Sequence, residues 1–357
     1  MCKIENYLIT LEATIRESMT CIDRNGKGIA LVVDAERHLL GTISDGDIRR
    51  AILKGVNLDL AIGVLLAERN RDLTYRPLTA PLGTADADLL LLMNKHEIRQ
   101  IPIVNETGCV MDMAFLGNLV REYEQPMTAV VMAGGFGNRL RPLTDRVPKP
   151  MLPLGDRPML ERTIEQLQKT GIRRVSLTTH YRAEAISDHF GNGKNFGVSI
   201  DYVHEDQPLG TAGALGLLEN IDEPLLVING DILTNVDFRA MLAYHREYKA
   251  CLTVGVRQYD LQVPYGVMEC DGAKILGVSE KPKLQFLVNA GIYLLDPEAR
   301  NFIPSGRKFD MTDLIQSLVQ EKRTVVSFPI MEYWLDIGQY PDYEKAKSDV
   351  ESGRLHS

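Results

Sequence analysis

The sequence predicts an α/β protein in which a doubly wound mixed sheet, starting near residue 127, follows a smaller α+β pair of repeats. Three observations carry this reading: a gapless internal repeat in the first third of the chain, a regular alternation of strand-like and helix-like segments after Met127, and a short apolar strand at 128–132 that runs into a glycine-rich loop.

Bulk properties narrow the function classes. At 357 residues and 45% hydrophobic content, the chain can bury two cores and is not compositionally disordered. The net charge of −8 opposes a nucleic-acid surface, because duplex binding requires a basic face to displace counterions. Five scattered cysteines without a C-x-x-C pair suggest neither a disulfide framework nor a zinc site, which favours a reducing, cytoplasmic compartment. No apolar run approaches the roughly 18 residues of a membrane span, and the first ten residues lack the pattern of a cleaved leader.

The repeat aligns 29–50 with 100–121 at an offset of 71, placing Gly41 on Asp112. Each copy shows an apolar strand (Ala30–Val33; Ile101–Val104), a polar turn, a second strand and a helix start, and repeats of this length usually pack on each other. In the first copy, Gly41-Thr42-Ile43-Ser44-Asp45-Gly46-Asp47 resembles the cystathionine-β-synthase (CBS) domain, whose pairs bind adenine nucleotides between repeats. The resemblance implies a CBS pair over 1–122, with repeats at about 1–60 and 61–122, in which Ser44 and Asp47 would grip a ribose as a regulatory nucleotide site. In the second copy Phe115 replaces the serine and Asn118 the aspartate, so at most one pocket is chemically complete. The alternative is that Ser44 and Asp47 cap the following helix and that the pair serves for dimerisation; a homodimer or higher homo-oligomer is expected. The charged, proline-closed stretch 121–126 is the predicted linker.

Met127 opens the second domain, 127–357. Ala133-Gly134-Gly135-Phe136-Gly137-Asn138-Arg139 follows the apolar strand, and glycines lacking Cβ let backbone amides approach an anion while Arg139 and Arg141 add guanidinium donors. The loop is neither a Walker A motif nor a dinucleotide fingerprint. Farther on, Lys149 is stiffened between Pro148 and Pro150. The rhythm then continues: helix 158–170 capped by Asp156, strand 174–179, helix 183–190, strand 198–204, helix 212–220 and strand 225–229. In such sheets ligands lie at the carboxyl ends of strands, where Asn229-Gly230-Asp231 delivers a carboxylate. That string is also a common turn. Asp336 interrupts an apolar strand in Tyr333-Trp334-Leu335-Asp336-Ile337-Gly338, so it should be paired or metal-bound.

Together the loop and the Val147-Pro148-Lys149-Pro150-Met151-Leu152-Pro153 string resemble the signature of nucleotide-sugar pyrophosphorylases, the sugar-1-phosphate nucleotidyltransferases, over Met127 to about Ser357. The resemblance implies a Rossmann-like, GT-A-like fold and transfer of a nucleoside monophosphate from a triphosphate to a sugar 1-phosphate. It carries catalytic roles to Arg139, Lys149, Asp231, Lys281 and Asp336, with Mg²⁺ on Asp231 and Asp336. It carries nucleotide contacts to Ala133, Gly134, Gly135, Gly137, Glu205, Gly210 and Thr211, and sugar-phosphate contacts to Gly266, Glu280, Lys281 and Asn289. Glu280-Lys281-Pro282 could also be a surface pair, and the Gly266 and Asn289 strings ordinary turns.

Glu205 favours GTP as donor, because a carboxylate accepts from the two N–H groups of guanine whereas uracil suits an amide. Gln207 nearby offers such an amide. Mannose-, heptose- and glucosamine-type 1-phosphates fit equally. The rival readings are a uridylyl- or cytidylyltransferase, a glycosyltransferase, which would need a D-x-D motif where Asn229-Gly230-Asp231 stands, and a non-catalytic nucleotide sensor, which would not need all five charged residues.

Overall fold

A computed structural model describes residues 4–69, 77–96, 98–119, 127–218 and 222–355, with the backbone alone for 68, 69, 94, 117 and 118. The predicted linker 121–126, Cys2, the end of the predicted helix at 219–220 and Ser357 lie outside the described residues. The chain divides into two compact units, Met1–Glu124 and Gln125–Ser357. Among the described residues no helix is long and apolar enough to cross a membrane.

In the first unit, β1 (Leu8–Ile9), α1 (Ile15–Asn25), β2 (Ile29–Val33), β3 (Leu39–Ser44) and α2 (Asp45–Leu53) are followed by α3 (Gly63–Arg69). The same order then recurs in β4 (Ala80–Pro81), α4 (Asp86–Lys95), β5 (Gln100–Val104), β6 (Val110–Phe115) and α5 (Leu116–Leu119). Each set makes a three-stranded sheet with β2 or β5 in the middle. The 71-residue offset is preserved in the hydrogen-bond register itself. Ile29 faces Ser44 as Gln100 faces Phe115, and the bulge between Val32 and Val33 recurs between Ile103 and Val104. Asp34 Oδ1 accepts from Glu36 and His38, and Asn105 Oδ1 accepts from Thr107 and Cys109 in the same turn. These turns meet: Leu39 donates to Gly108 and Val110 to Arg37, bracketing a His38–Cys109 bridge across a local two-fold.

The second unit opens with β7 (Thr128–Met132), the small hairpin β8 (Pro153–Leu154) and β9 (Arg157–Pro158), α6 (Met159–Lys169), β10 (Arg174–Thr179), α7 (Ala183–Phe190), β11 (Ser199–His204), the one-turn α8 (Gly210–Gly213), β12 (Leu225–Asn229) and β13 (Ile232–Thr234). It continues through α9 (Phe238–Glu247), β14 (Leu252–Gln262), β15 (Val267–Asp271), β16 (Lys274–Ser279), β17 (Lys283–Leu295), α10 (Met311–Gln320), β18 (Val325–Pro329), β19 (Trp334–Asp336) and α11 (Tyr340–Glu351). The main sheet runs β11-β10-β7-β12-β17-β14-β18 among the described residues. β11, β10, β7 and β12 are parallel, whereas β17 is antiparallel to both of its neighbours, so the sheet is mixed. Alternate residues of each central strand feed opposite cores. Ala129, Val131, Leu226 and Ile228 pack with α6, α7 and α9, while Val130, Leu225 and Val227 pack with α10. This is the doubly wound arrangement.

The strands 174–179 and 225–229 and the helix 183–190 form with the predicted bounds. Two local expectations are corrected. Asp156 does not cap α6, whose N-cap is Pro158; the tight β8–β9 hairpin turns Asp156 toward Arg157 and Arg162 instead. The predicted helix 212–220 is α8 followed by a 3₁₀ turn, Ala214–Leu217. The amides of Ala212 and Gly213 donate to the carbonyl of Phe309, which ties the segment down before a longer helix can develop.

His245 on α9 is buried, its ring hydrogen-bonded through Nδ1 to Thr253 while Nε2 has no partner among the described residues. Burial depresses its pKa to about 4. The native state therefore holds His245 neutral while the unfolded state protonates near 6.5, so its contribution is present above pH 6.5 and is lost as pH falls toward 4. Urea titrations between pH 7 and 4.5 should show His245→Gln losing less stability than wild type, by up to about 3 kcal/mol.

Candidate active site

Four parallel strands end on one edge of the sheet, and each delivers part of a single cleft. β7 leads into the glycine loop, β10 into His180, β11 into Glu205 and β12 into Gly230-Asp231. The cleft has a volume of about 280 Å³ and is lined by Gly134, Gly135, Lys149, Glu205, Gly210, Thr211 and Asp231 among the predicted residues. Met132, Phe136, Pro150, Thr178, His180, Pro208, Asn229 and Gly230 complete the lining.

The loop is held rather than loose. Leu140 is buried against Leu233, Leu335 and Ile337, and the Thr144 hydroxyl donates to the Gly137 carbonyl at 2.8 Å. The glycines differ in what they permit. Gly137 has φ +64° with Thr144 and Lys149 crowding the place a Cβ would take, whereas nothing lies within 4 Å of where a Cβ of Gly135 would stand. Protein packing does not demand a glycine at 135; close approach of a ligand would. Ala133 is buried and its amide is committed to the Thr178 carbonyl, so it is not offered to the cleft.

Lys149 begins a 3₁₀ turn behind Pro148 and is buried, with Nζ donating to Asp231 Oδ2 at 2.7 Å. Asp336 comes alongside because β13 pairs with β19, setting Ile232 opposite Asp336, and Ile337 donates to the Asp231 carbonyl at 3.0 Å. Asp336 is exposed as a residue, yet desolvation of its carboxyl and then the charge of Asp231 raise its pKa above the ordinary carboxylate value, with Lys149 and Arg139 opposing. Arg139 stands outside the cleft lining, beside Gly338 and Asp336. Two hard oxygen donors held in mutual repulsion form a donor set suited to a divalent cation. Asp34, Glu36 and His38 also cluster, but Asp34 there closes the β2–β3 turn.

On the β11 side, Glu205 is buried and its Oε2 accepts from the Leu209 amide at 3.0 Å. Its carbonyl lies 2.7 Å from His180 Nδ1, which must carry the hydrogen, since a carbonyl can only accept. Gly210 adopts φ +80°, and Asp310 occupies the space a Cβ would take. Asp310 Oδ1 accepts from the Thr211 amide and Thr211 Oγ1 accepts from Met311, so the 209–213 loop is docked by residues about a hundred positions away.

The structure does not bring the sugar-phosphate set into this lining. Gly266 and Glu280 adjoin each other, Lys281 is exposed with φ +47°, and Asn289 is engaged by Tyr293 and the Gly291 amide. In the first unit, Ser44 and Asp47 form a reciprocal capping box on α2, and Asp47 also meets Arg50 at 2.7 Å. The equivalent Phe115 is buried against Tyr7; the side chain of Asn118 lies outside the described residues.

Sequence reasoning missed His180 and Asp310. The first was findable as the residue directly after a predicted strand. The second had no local signal, because its role exists only through contact with Thr211.

Residues 128–353 match the nucleotidyl transferase family model, and residues 5–54 match the CBS domain model. The chain belongs to the nucleotidyl transferase family. It is 33% identical over 250 residues to the UTP--glucose-1-phosphate uridylyltransferase of Synechocystis, which covers 64% of each chain. It is 34% identical over 228 residues to the mannose-1-phosphate guanyltransferase of Saccharomyces cerevisiae, covering 61% of this chain and 63% of the relative. A D-glycero-alpha-D-manno-heptose 1-phosphate guanylyltransferase from Aneurinibacillus thermoaerophilus matches at 32% identity over 229 residues, 63% of this chain and 99% of the relative. The chain thus spans less than two thirds of the length of the first two and nearly all of the third.

Proposed function

We propose that this nucleotidyl transferase moves a nucleoside monophosphate, GMP from GTP, onto a mannose-, heptose- or glucosamine-type sugar 1-phosphate. The observation that carries the reading is the juxtaposition of a ligand-accessible glycine loop, the Lys149–Asp231 pair and Asp336 at one sheet edge. A sugar-phosphate oxygen would form a bond to the α-phosphorus as the α–β bridging bond breaks and pyrophosphate departs. The obstacle is repulsion between two anions, so the protein works by positioning and charge compensation.

In this reading Arg139 and the amides of Gly134, Gly135 and Gly137 hold the β,γ-phosphates. Asp231 and Asp336 would hold Mg²⁺, which when bound neutralises phosphate charge and polarises the α-phosphoryl group. Lys149, resting on Asp231, exchanges that carboxylate for an α-phosphoryl oxygen and so keeps a compensated charge throughout. Lys281 binds the sugar phosphate, while Glu280, Asn289 and the backbone at Gly266 meet sugar hydroxyls. Gly210, Thr211 and Glu205 hold the base. The reading includes a cytoplasmic setting and regulation by an adenine nucleotide at Ser44 and Asp47.

Guanine is favoured because a buried carboxylate stands in the cleft and because two of the three relatives above are guanylyl enzymes by name. The uridylyl relative keeps the pyrimidine reading as the competitor.

In a pyrophosphate-release assay, Asp231→Asn and Asp336→Asn should each lower kcat about 100-fold or more; turnover within threefold of wild type would remove the metal assignment. Crossing GTP, UTP, CTP and ATP with sugar 1-phosphates should give GTP a kcat/KM advantage of about tenfold or more. Glu205→Gln, which keeps an acceptor for Leu209, should erode that preference; equal GTP and UTP rates in wild type would sink it. Calorimetry should detect adenine-nucleotide binding that Asp47→Ala abolishes, and a flat titration of wild type would leave the capping role alone.

A further inference from the structure

The parallel ladder between β10 and β11 runs on past its last pair, the Glu205 amide donating to the Thr179 carbonyl at 3.0 Å, and this sets His180 beside Glu205 at the strand ends. His180 is half-buried and lines the cleft. Its ring is held from two sides. Nδ1 donates to the Glu205 carbonyl at 2.7 Å, and the Phe136 ring stands at 87° to the imidazole with 5.4 Å between centroids. With the hydrogen on Nδ1, the neutral imidazole carries its lone pair on Nε2. Nε2 makes no hydrogen bond to a described residue.

Glu205 divides its two oxygens in a related way. Oε2 accepts from the Leu209 amide, which commits it to closing the turn. Oε1 lies 3.1 Å from where a Cβ of Gly134 would stand, and the Cβ of His180 lies 3.4 Å from the same point. A side chain at 134 would fill the space between carboxylate and imidazole, so glycine keeps that space open to a ligand. Two acceptors, Glu205 Oε1 and His180 Nε2, therefore belong to one wall of the cleft.

Nucleobases differ in what they ask of such a wall. Guanine presents adjacent N–H donors at N1 and at its 2-amino group. Hypoxanthine keeps N1–H and has only C–H at position 2, while uracil shows a single N–H between two carbonyls. An acceptor left facing C–H loses a hydrogen bond, and one facing a carbonyl is repelled. We infer that His180 is a base-reading residue, its Nε2 accepting from the 2-amino group of guanine while Glu205 Oε1 accepts from N1–H. The inference rests on the guanylyl reading above and assigns the second of the two hydrogen bonds that reading requires.

Inosine triphosphate, which differs from GTP only in lacking the 2-amino group, is the probe. Wild type should show a kcat/KM for GTP about tenfold above that for inosine triphosphate. His180→Asn keeps an N–H in reach of the Glu205 carbonyl and removes the atom at Nε2. It should bring the GTP value down to the inosine triphosphate value while leaving the latter within about threefold of wild type. His180→Gln, which sets an amide near the place of Nε2, should recover part of the GTP advantage. Equal use of the two purines by wild type, with GTP still ahead of UTP, overturns the inference and leaves the guanylyl reading standing. So does an Asn variant that lowers both purines by the same factor, the mark of a purely structural role. Equal use of GTP and UTP by wild type overturns that reading and this inference with it. Should the Asn variant fail to fold, the wild-type purine ratio and the Gln variant still decide.

Discussion

The charge balance of the site rests on two carboxylates brought near each other, Asp231 in the cleft lining and Asp336 alongside it. Asp231 follows β12 and Asp336 ends β19, more than a hundred residues apart, and only the short β13–β19 ladder makes them neighbours. Desolvation of its carboxyl first, and then the charge of Asp231, raise the pKa of Asp336, and the pair calls for positive charge nearby. Lys149 answers from within the fold, fixed by its proline-flanked turn and buried so that its ammonium has little choice of partner. The same electrostatic demand makes the site receptive to a cation and to phosphate.

Around that centre, the rest of the unit works as scaffolding with few degrees of freedom. The glycine loop is pinned by Leu140 in a core shared with α11 and by Thr144 on Gly137, so its open stretch around Gly135 presents backbone without collapsing into the cleft. On the opposite wall, Glu205 serves twice, closing its own turn through Leu209 and orienting His180 through its carbonyl. Asp310 fills the space that Gly210 leaves empty. A side chain at 210 would displace the carboxylate that holds the loop, which explains the glycine there by packing as well as by its positive φ.

The first unit shows a different economy. One β-α-β-β-α plan is used twice, down to the position of the bulge, and the copies join through backbone bonds that the local two-fold exchanges. Chemistry diverged where the plan did not. Ser44 and Asp47 close a capping box, whereas the copy places Phe115 in the apolar cluster with Tyr7 and Met113.

Much of this protein was determined by the sequence alone. Period and punctuation identified the strands, the double winding and the repeat offset, because alternation and turn chemistry are local properties. The proline-flanked lysine, the glycine loop and the strand-end carboxylate were legible for the same reason: each is set by neighbours within a few residues. Tertiary structure alone decided which of them meet. The pairing of β13 with β19, the docking of Thr211 on Asp310 and the antiparallel insertion of β17 join residues roughly seventy to a hundred or more positions apart. It also decided that Asp156 faces two arginines instead of capping α6. Local patterns carry no record of such partners, since the energy of a long-range contact depends on a neighbour that only folding brings near.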